Sequence, residues 1–162
     1  MIEAVVFDLD GTLVRLPIDY EKLFKEFKRI IRVNEVRPVV ETVSKVDEKT
    51  RARVFRAWDK AELAVSGKIT VKEEGMKPYR EFNAKPKALV TLQGKSVVEA
   101  ILKQFELRFD FVVTREDALF RVDQLTKAIS LLRAEPENVL FVGNTDGDAA
   151  AAKRLGLQFM RV

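Results

Sequence analysis

Three short apolar runs in this chain each end in a polar turn, and that repeated grammar restricts the fold more than any other feature. Ala4-Val5-Val6-Phe7 leads into Asp8-Leu9-Asp10-Gly11-Thr12, and Ala88-Leu89-Val90 leads into Thr91-Leu92-Gln93-Gly94. Val139-Leu140-Phe141-Val142 leads into Gly143-Asn144-Thr145-Asp146-Gly147-Asp148. The runs are continuously apolar, not alternating, as suits strands covered on both faces in a parallel sheet. Phe109 to Val113 and Leu157 to Met160 are two weaker candidates. Apolar residues recur at helical spacing between them: Val97, Val98, Ile101, Leu102 and Phe105, then Leu125, Ala128, Ile129 and Leu132. The run from Ala149 to Leu155 stops at Gly156, a good C-terminal cap. Strands alternating with helices predict a doubly wound, Rossmann-like α/β sheet. In such sheets ligands gather outside the carboxyl ends of the strands, where all three polar turns would lie.

Between the first and second runs the character changes. Tyr20, Leu23, Phe24, Phe27, Ile30 and Ile31 trace an amphipathic helix, Pro38 breaks it, and Val54, Trp58, Ala61 and Val65 trace another. Gly67, Gly75, Pro78 and Pro86 punctuate a return toward the sheet. The expected organisation is a core of 1–14 and 86–162 with a small helical cap, 15–85, inserted after the first strand. The cap carries 18 Lys and Arg against 12 Asp and Glu, whereas the remainder is net negative. Two readings stand: a solvated helical surface, or a basic lid that draws in an anionic substrate.

Absences narrow the chemistry. The chain has neither cysteine nor histidine, which excludes thiol nucleophiles, Ser-His-Asp triads and histidine or cysteine metal ligands. What remains is carboxylate, hydroxyl, lysine and arginine, a set that favours hard cations such as magnesium. No apolar run approaches the ~20 residues needed to span a bilayer, and the first residues do not read as a secretion signal. A cytoplasmic enzyme without a membrane partner is expected. No dense basic run with interleaved aromatics argues for nucleic acid.

In Phe7-Asp8-Leu9-Asp10-Gly11-Thr12-Leu13, two carboxylates two residues apart point to opposite faces if the strand continues, and converge if the chain turns after Asp8. Converged, one can attack phosphorus while the other moves the leaving group's proton. Asp10-Gly11 alone reads equally as a hairpin turn between Val5-Val6-Phe7 and Leu13-Val14. The stretch DLDGT resembles the first motif, DxDGT, of the haloacid dehalogenase superfamily of phosphohydrolases, and the likeness extends over most of 1–14 and 86–162. The resemblance implies Asp8 as the nucleophile that forms an aspartyl-phosphate. It implies Asp10 as general acid and base, with its backbone carbonyl on the metal. The acid at position 10 resembles the phosphatase branch, since the dehalogenases lack it.

Thr91 matches the family's second motif, a Thr or Ser that hydrogen-bonds the transferring phosphoryl group; by itself it reads as a turn or cap residue. Gly94-Lys95-Ser96 is not a P-loop, because position 89 is Leu where that motif needs Gly. The third motif offers a Lys, often followed by Pro, before the helix that is expected to begin near Gln124. No Lys-Pro occurs between Thr114 and Val122. Arg121 is the nearest cation in register and can clamp phosphate oxygens, or else is a surface arginine. Lys127 and Lys95 are the alternatives. The fourth motif, GDxxxD, is matched from Gly143 to Asp148 with Asn144 in place of the first acid. Asp146 or Asp148 also suits a helix cap. The resemblance makes Asp148 a metal ligand and lets Asn144 donate its carbonyl oxygen.

The whole then implies a magnesium-dependent phosphatase-like hydrolase acting on a small phosphorylated compound, with Asp8, Asp10, Thr91 and Arg121 in chemistry and Asp8, Asp10, Asp148 and Asn144 at the metal. A phosphatase fold retained as a binding or regulatory module is the rival, supported by Asn144 and the missing Lys-Pro. The intact Asp8/Asp10 pair argues against it. Substrate identity and oligomeric state are not readable.

Overall fold

Strand β1 (Ala4–Asp8) runs through the centre of the molecule with every residue buried. In the computed structural model, which describes residues 1–162, it is flanked by β4 (Lys87–Val90) and β6 (Val139–Gly143). The edges are β5 (Phe111–Val113) and β7 (Gln158–Arg161), giving a five-stranded sheet of order β5-β4-β1-β6-β7. All four pairings are parallel. The apolar runs are continuous because alternate residues serve different layers. Val5 and Phe7 join Leu89, Leu140 and Val142 on one face, while Ala4 and Val6 join Ala88, Val90 and Phe141 on the other. Helix α5 (Lys95–Gln104) covers the first face through Val97, Val98 and Ile101. Helices α6 (Arg121–Leu132) and α7 (Asp146–Leu155) cover the second through Leu125, Ala128, Ala151 and Ala152. The doubly wound α/β expectation holds.

The segment after β1 contains α1 (Tyr20–Ile31), α2 (Val39–Lys45) and α3 (Glu48–Ala64). Leu23, Phe27, Ile30, Val36, Val43, Val54 and Trp58 form their own apolar cluster. A two-stranded antiparallel ribbon, β2 (Val14–Arg15) with β3 (Thr70–Val71), links this helical unit to the sheet. That pairing removes the hairpin reading of Asp10-Gly11, because β2 pairs with β3 and not with β1.

Within 15–85 the chain has two packing environments. Gly75 and Pro78, expected to mark turns, lie inside a further helix, α4 (Glu73–Glu81). This helix packs on the sheet, with the Tyr79 ring edge-on to Phe7 at 5.8 Å. Gly75 permits the close approach, since an added Cβ would lie 1.8 Å from the Thr12 carbonyl oxygen. The sequence pattern missed α4 because Gly75 and Pro78 read locally as helix breakers.

Candidate active site

The three polar turns meet at the carboxyl end of β1, which lies at the point where the strand order reverses. Asp8 is the last residue of β1 and is buried. The chain turns immediately after it, with Gly11 in the left-handed region at φ 79°. Thr12 Oγ1 donates to Asp8 Oδ2 at 3.1 Å and lies 3.3 Å from Asn144 Oδ1, which joins the first turn to the third. Asp10 Oδ1 accepts from the Leu16 amide at 2.9 Å, and Asp10 Oδ2 accepts from the Tyr20 hydroxyl at 3.5 Å. Asp8 and Asp10 both line one cavity of about 340 Å³. They converge.

Arg121 is the cation that the fold brings to the site. Its Nη2 donates to Asp8 Oδ1 at 3.0 Å, its Nε to Asp148 Oδ1 at 2.9 Å and its Nη1 to Gln124 Oε1 at 2.7 Å. The position follows from α6 starting at Arg121, three residues earlier than the expected start near Gln124, so the side chain leaves the helix's first turn toward β1. Gln124 is fixed in turn by donating to the Thr91 and Ala118 carbonyls, both at 2.9 Å. Lys127 points elsewhere, onto the Asp117 carbonyl at 2.7 Å, and Lys95 does not line the cavity.

Two expected residues take up roles different from those anticipated. Asp148 does not line the cavity. Its Oδ1 holds Arg121, and its Oδ2 accepts from the Asn144 and Thr145 amides at 3.1 and 3.3 Å. The helix cap is Thr145, whose hydroxyl accepts from the Asp148 amide at 3.0 Å, and Asp148 completes the capping box. Asp146 is exposed and paired with Arg161 at 2.6 Å. Asp148 is therefore placed to orient Arg121, and Asn144 and Thr145 are the fourth-motif residues that reach the cavity. Thr91 is fully buried at the end of β4, but its hydroxyl is engaged with Gln93, and Leu92 and Gln93 are the residues of that turn lining the cavity. Gln93, Thr12 and Tyr20 were not singled out from sequence. Thr12 was legible as part of DLDGT, whereas Gln93 and Tyr20 carry no local signal.

Burial dominates the electrostatics. It pushes the Asp8 carboxyl up to about 6, with Arg121 pulling it back and Asp148 adding to the rise. Asp10 is also raised by burial, against its hydrogen bonds from Leu16 and Tyr20. Burial and the neighbouring Asp10 hold the Tyr20 phenol above its ordinary range.

Six of the cap's 18 basic residues lie away from this cavity. Lys22, Lys25, Arg29, Arg53, Arg56 and Lys60 line a separate groove of about 910 Å³ between α1 and α3, which shares no residue with the first. The basic-lid reading does not hold at the sheet edge.

The family profile of haloacid dehalogenase-like hydrolases matches residues 5–162. The chain belongs to this family. Among curated relatives, the pyrophosphatase PpaX of Bacillus cereus (strain AH820) is 29% identical over 179 residues, covering 96% of this chain and 80% of its own. A haloacid dehalogenase-like hydrolase from Streptococcus pneumoniae superposes with a TM-score of 0.70 at 19% identity, covering 99% of this chain and 84% of that one. CbbY from Rhodobacter sphaeroides, solved with phosphate, superposes with a TM-score of 0.67 at 20% identity, over 98% and 85% of the two chains. The family is one of hydrolases, and the haloacid dehalogenase-like architecture expected from the motifs is confirmed. No helix is long and apolar enough to cross a membrane.

Proposed function

We propose that this chain is a magnesium-dependent phosphoric monoester hydrolase acting on a small phosphorylated metabolite through an aspartyl-phosphate on Asp8. The observation that carries the reading is the buried Asp8 carboxylate, 3.0 Å from Arg121 and sharing a small cavity with Asp10. An Asp8 oxygen attacks phosphorus, the bond to the ester oxygen breaks, and Asp10 delivers its proton to that oxygen. Its raised pKa favours the protonated form needed at this step. Asp10 then accepts a proton from water as the water oxygen attacks phosphorus, which releases inorganic phosphate and restores Asp8. Arg121 offsets negative charge at Asp8 throughout. Cap residues Tyr20, Phe24, Val39, Val40 and Trp58 line the same cavity and supply its apolar wall.

The donor set fits a hard cation: Asp8, the Asp10 backbone carbonyl and Asn144 offer only oxygen. No three acids converge there, because Asn144 replaces one and Asp148 is engaged by Arg121. Magnesium, when bound by these residues, supplies positive charge to the phosphoryl oxygens. Asn144→Asp is expected to tighten magnesium roughly tenfold by adding a carboxylate, read by calorimetry on the metal-free protein. Unchanged affinity places Asn144 beyond the metal's reach. Protons compete for the same site: Asp8 is protonated below about pH 6, so magnesium affinity falls as pH drops through that value. A profile flat from pH 5 to 8 sinks this assignment.

The missing third acid also supports a second reading, a module that binds a phosphorylated ligand without turnover. Incubation with magnesium and a panel of phosphate esters separates the two. Phosphate release supports the hydrolase, and binding without release on any ester supports the module.

A further inference from the structure

The cavity has two unlike halves. Asp8, Asp10, Asn144 and Arg121 form the half at the sheet end, and Tyr20, Phe24, Val39, Val40, Trp58 and Leu92 form most of the rest. Arg121 is the one cation among the lining residues, and its three guanidinium nitrogens are committed to Asp8, Asp148 and Gln124. Arg37 lays its guanidinium over the Phe24 ring, with 5.2 Å to the centroid, but it is exposed and outside the lining. Lys72 is held by the Gly11 carbonyl at 2.8 Å. A substrate with a second anionic group therefore meets apolar wall and two carboxylates, with no free cation to offset its desolvation.

Trp58 anchors that wall and is 4% exposed. Its ring is fixed by Phe27, edge-on at 5.4 Å, and by the Arg115 guanidinium 4.5 Å from its centroid, so the apolar wall is in place before any ligand arrives.

We propose that this site takes a phosphate monoester whose leaving group is uncharged and largely apolar. The inference rests on the phosphatase reading and narrows it: substrates with a second anionic group, such as pyrophosphate, the compound in the Bacillus relative's name, are disfavoured here. The cavity's about 340 Å³ sets the scale, at the small end of ligand sites.

Trp58 is the only tryptophan, so intrinsic emission reports on this wall alone. Asp8→Asn protein is titrated, at saturating magnesium, with phenyl phosphate, inorganic phosphate, phosphoglycolate and pyrophosphate. Phenyl phosphate is expected to shift the emission and to bind roughly tenfold tighter than inorganic phosphate, through burial of its ring. Phosphoglycolate and pyrophosphate are expected to bind no tighter than inorganic phosphate. Either compound with a second anionic group outcompeting phenyl phosphate overturns the proposal, as does phenyl phosphate failing to bind. The wild-type protein, given the same compounds, keeps the two readings apart. Selective binding of the neutral ester without phosphate release upholds this inference and sinks the phosphatase reading. Release chiefly from pyrophosphate or phosphoglycolate does the reverse.

One variant tests the wall. Val40→Arg, at a half-buried wall position, is expected to raise phosphoglycolate affinity relative to phenyl phosphate, and no change in that ratio overturns the charge argument.

Discussion

Asp8→Asn is expected to lower the turnover of any phosphate ester by about a thousandfold or more, with the fold intact. Asparagine has the shape of aspartate: its oxygen can accept from Arg121, now at 3.0 Å, while its amide can donate to Thr12 Oγ1, now at 3.1 Å, whose own hydroxyl proton can turn to Asn144 Oδ1 at 3.3 Å. What it removes is the negative charge, and burial already works against that charge by pushing the carboxyl up to about 6. The loss therefore falls on nucleophilicity and leaves packing nearly untouched. Phosphate release measured beside a thermal melt separates the two effects. A variant that melts normally and turns over within tenfold of the wild type removes Asp8 as nucleophile.

The second large effect is structural. Arg115, fully buried, donates from Nη1 to Glu62 Oε1 at 2.8 Å and to the Leu92 carbonyl at 3.1 Å, and pairs through Nη2 with Asp59. Asp59 and Glu62 belong to α3, and Arg115 follows β5, so this cluster ties the helical cap to the sheet. Glu62 also accepts from the Gly94 amide at 3.1 Å. Arg115→Ala is expected to cost about 3–5 kcal/mol, because it strands a buried carboxylate. The cost depends on pH with a definite sign. Burial raises Glu62 to about 7 from an ordinary 4.5, even with Arg115 beside it, and without the guanidinium the value moves higher. In the variant Glu62 is protonated at pH 6 and charged only at a cost at pH 8, so the loss is larger at pH 8. In the wild type the same raised value gives stability present below 4.5 and lost as pH rises through about 7. Denaturant midpoints at both pH values check this. A loss under about 1 kcal/mol at each would show that Arg115 is dispensable to the cap.

Much of the site was readable because its pieces sit at strand ends. A continuous apolar run followed by acids or hydroxyls is visible within ten residues, and Asp8, Asp10 and the Asn144–Asp148 turn were found that way. Helix α4 was not, since Gly75 and Pro78 have breaker chemistry locally and their fit depends on Thr12 and the sheet. Arg115 was equally hidden: a lone arginine after a strand reads as loop until α3 closes over it.

Sequence by itself therefore determined the parallel sheet, the three strand ends and the oxygen-only chemistry, because each follows from local periodicity or from the absence of histidine and cysteine. Tertiary structure decided which groups meet. It selected Arg121 over Lys127 and Lys95, turned Asp148 onto that arginine, put Leu92 and Gln93 in the cavity in place of Thr91, and sent six of the cap's lysines and arginines to the far groove. The physical reason is range. Propensity and periodicity act over a turn or two of chain, whereas the direction of a charged side chain is set by partners such as Asp8 and Arg121, separated by 113 positions.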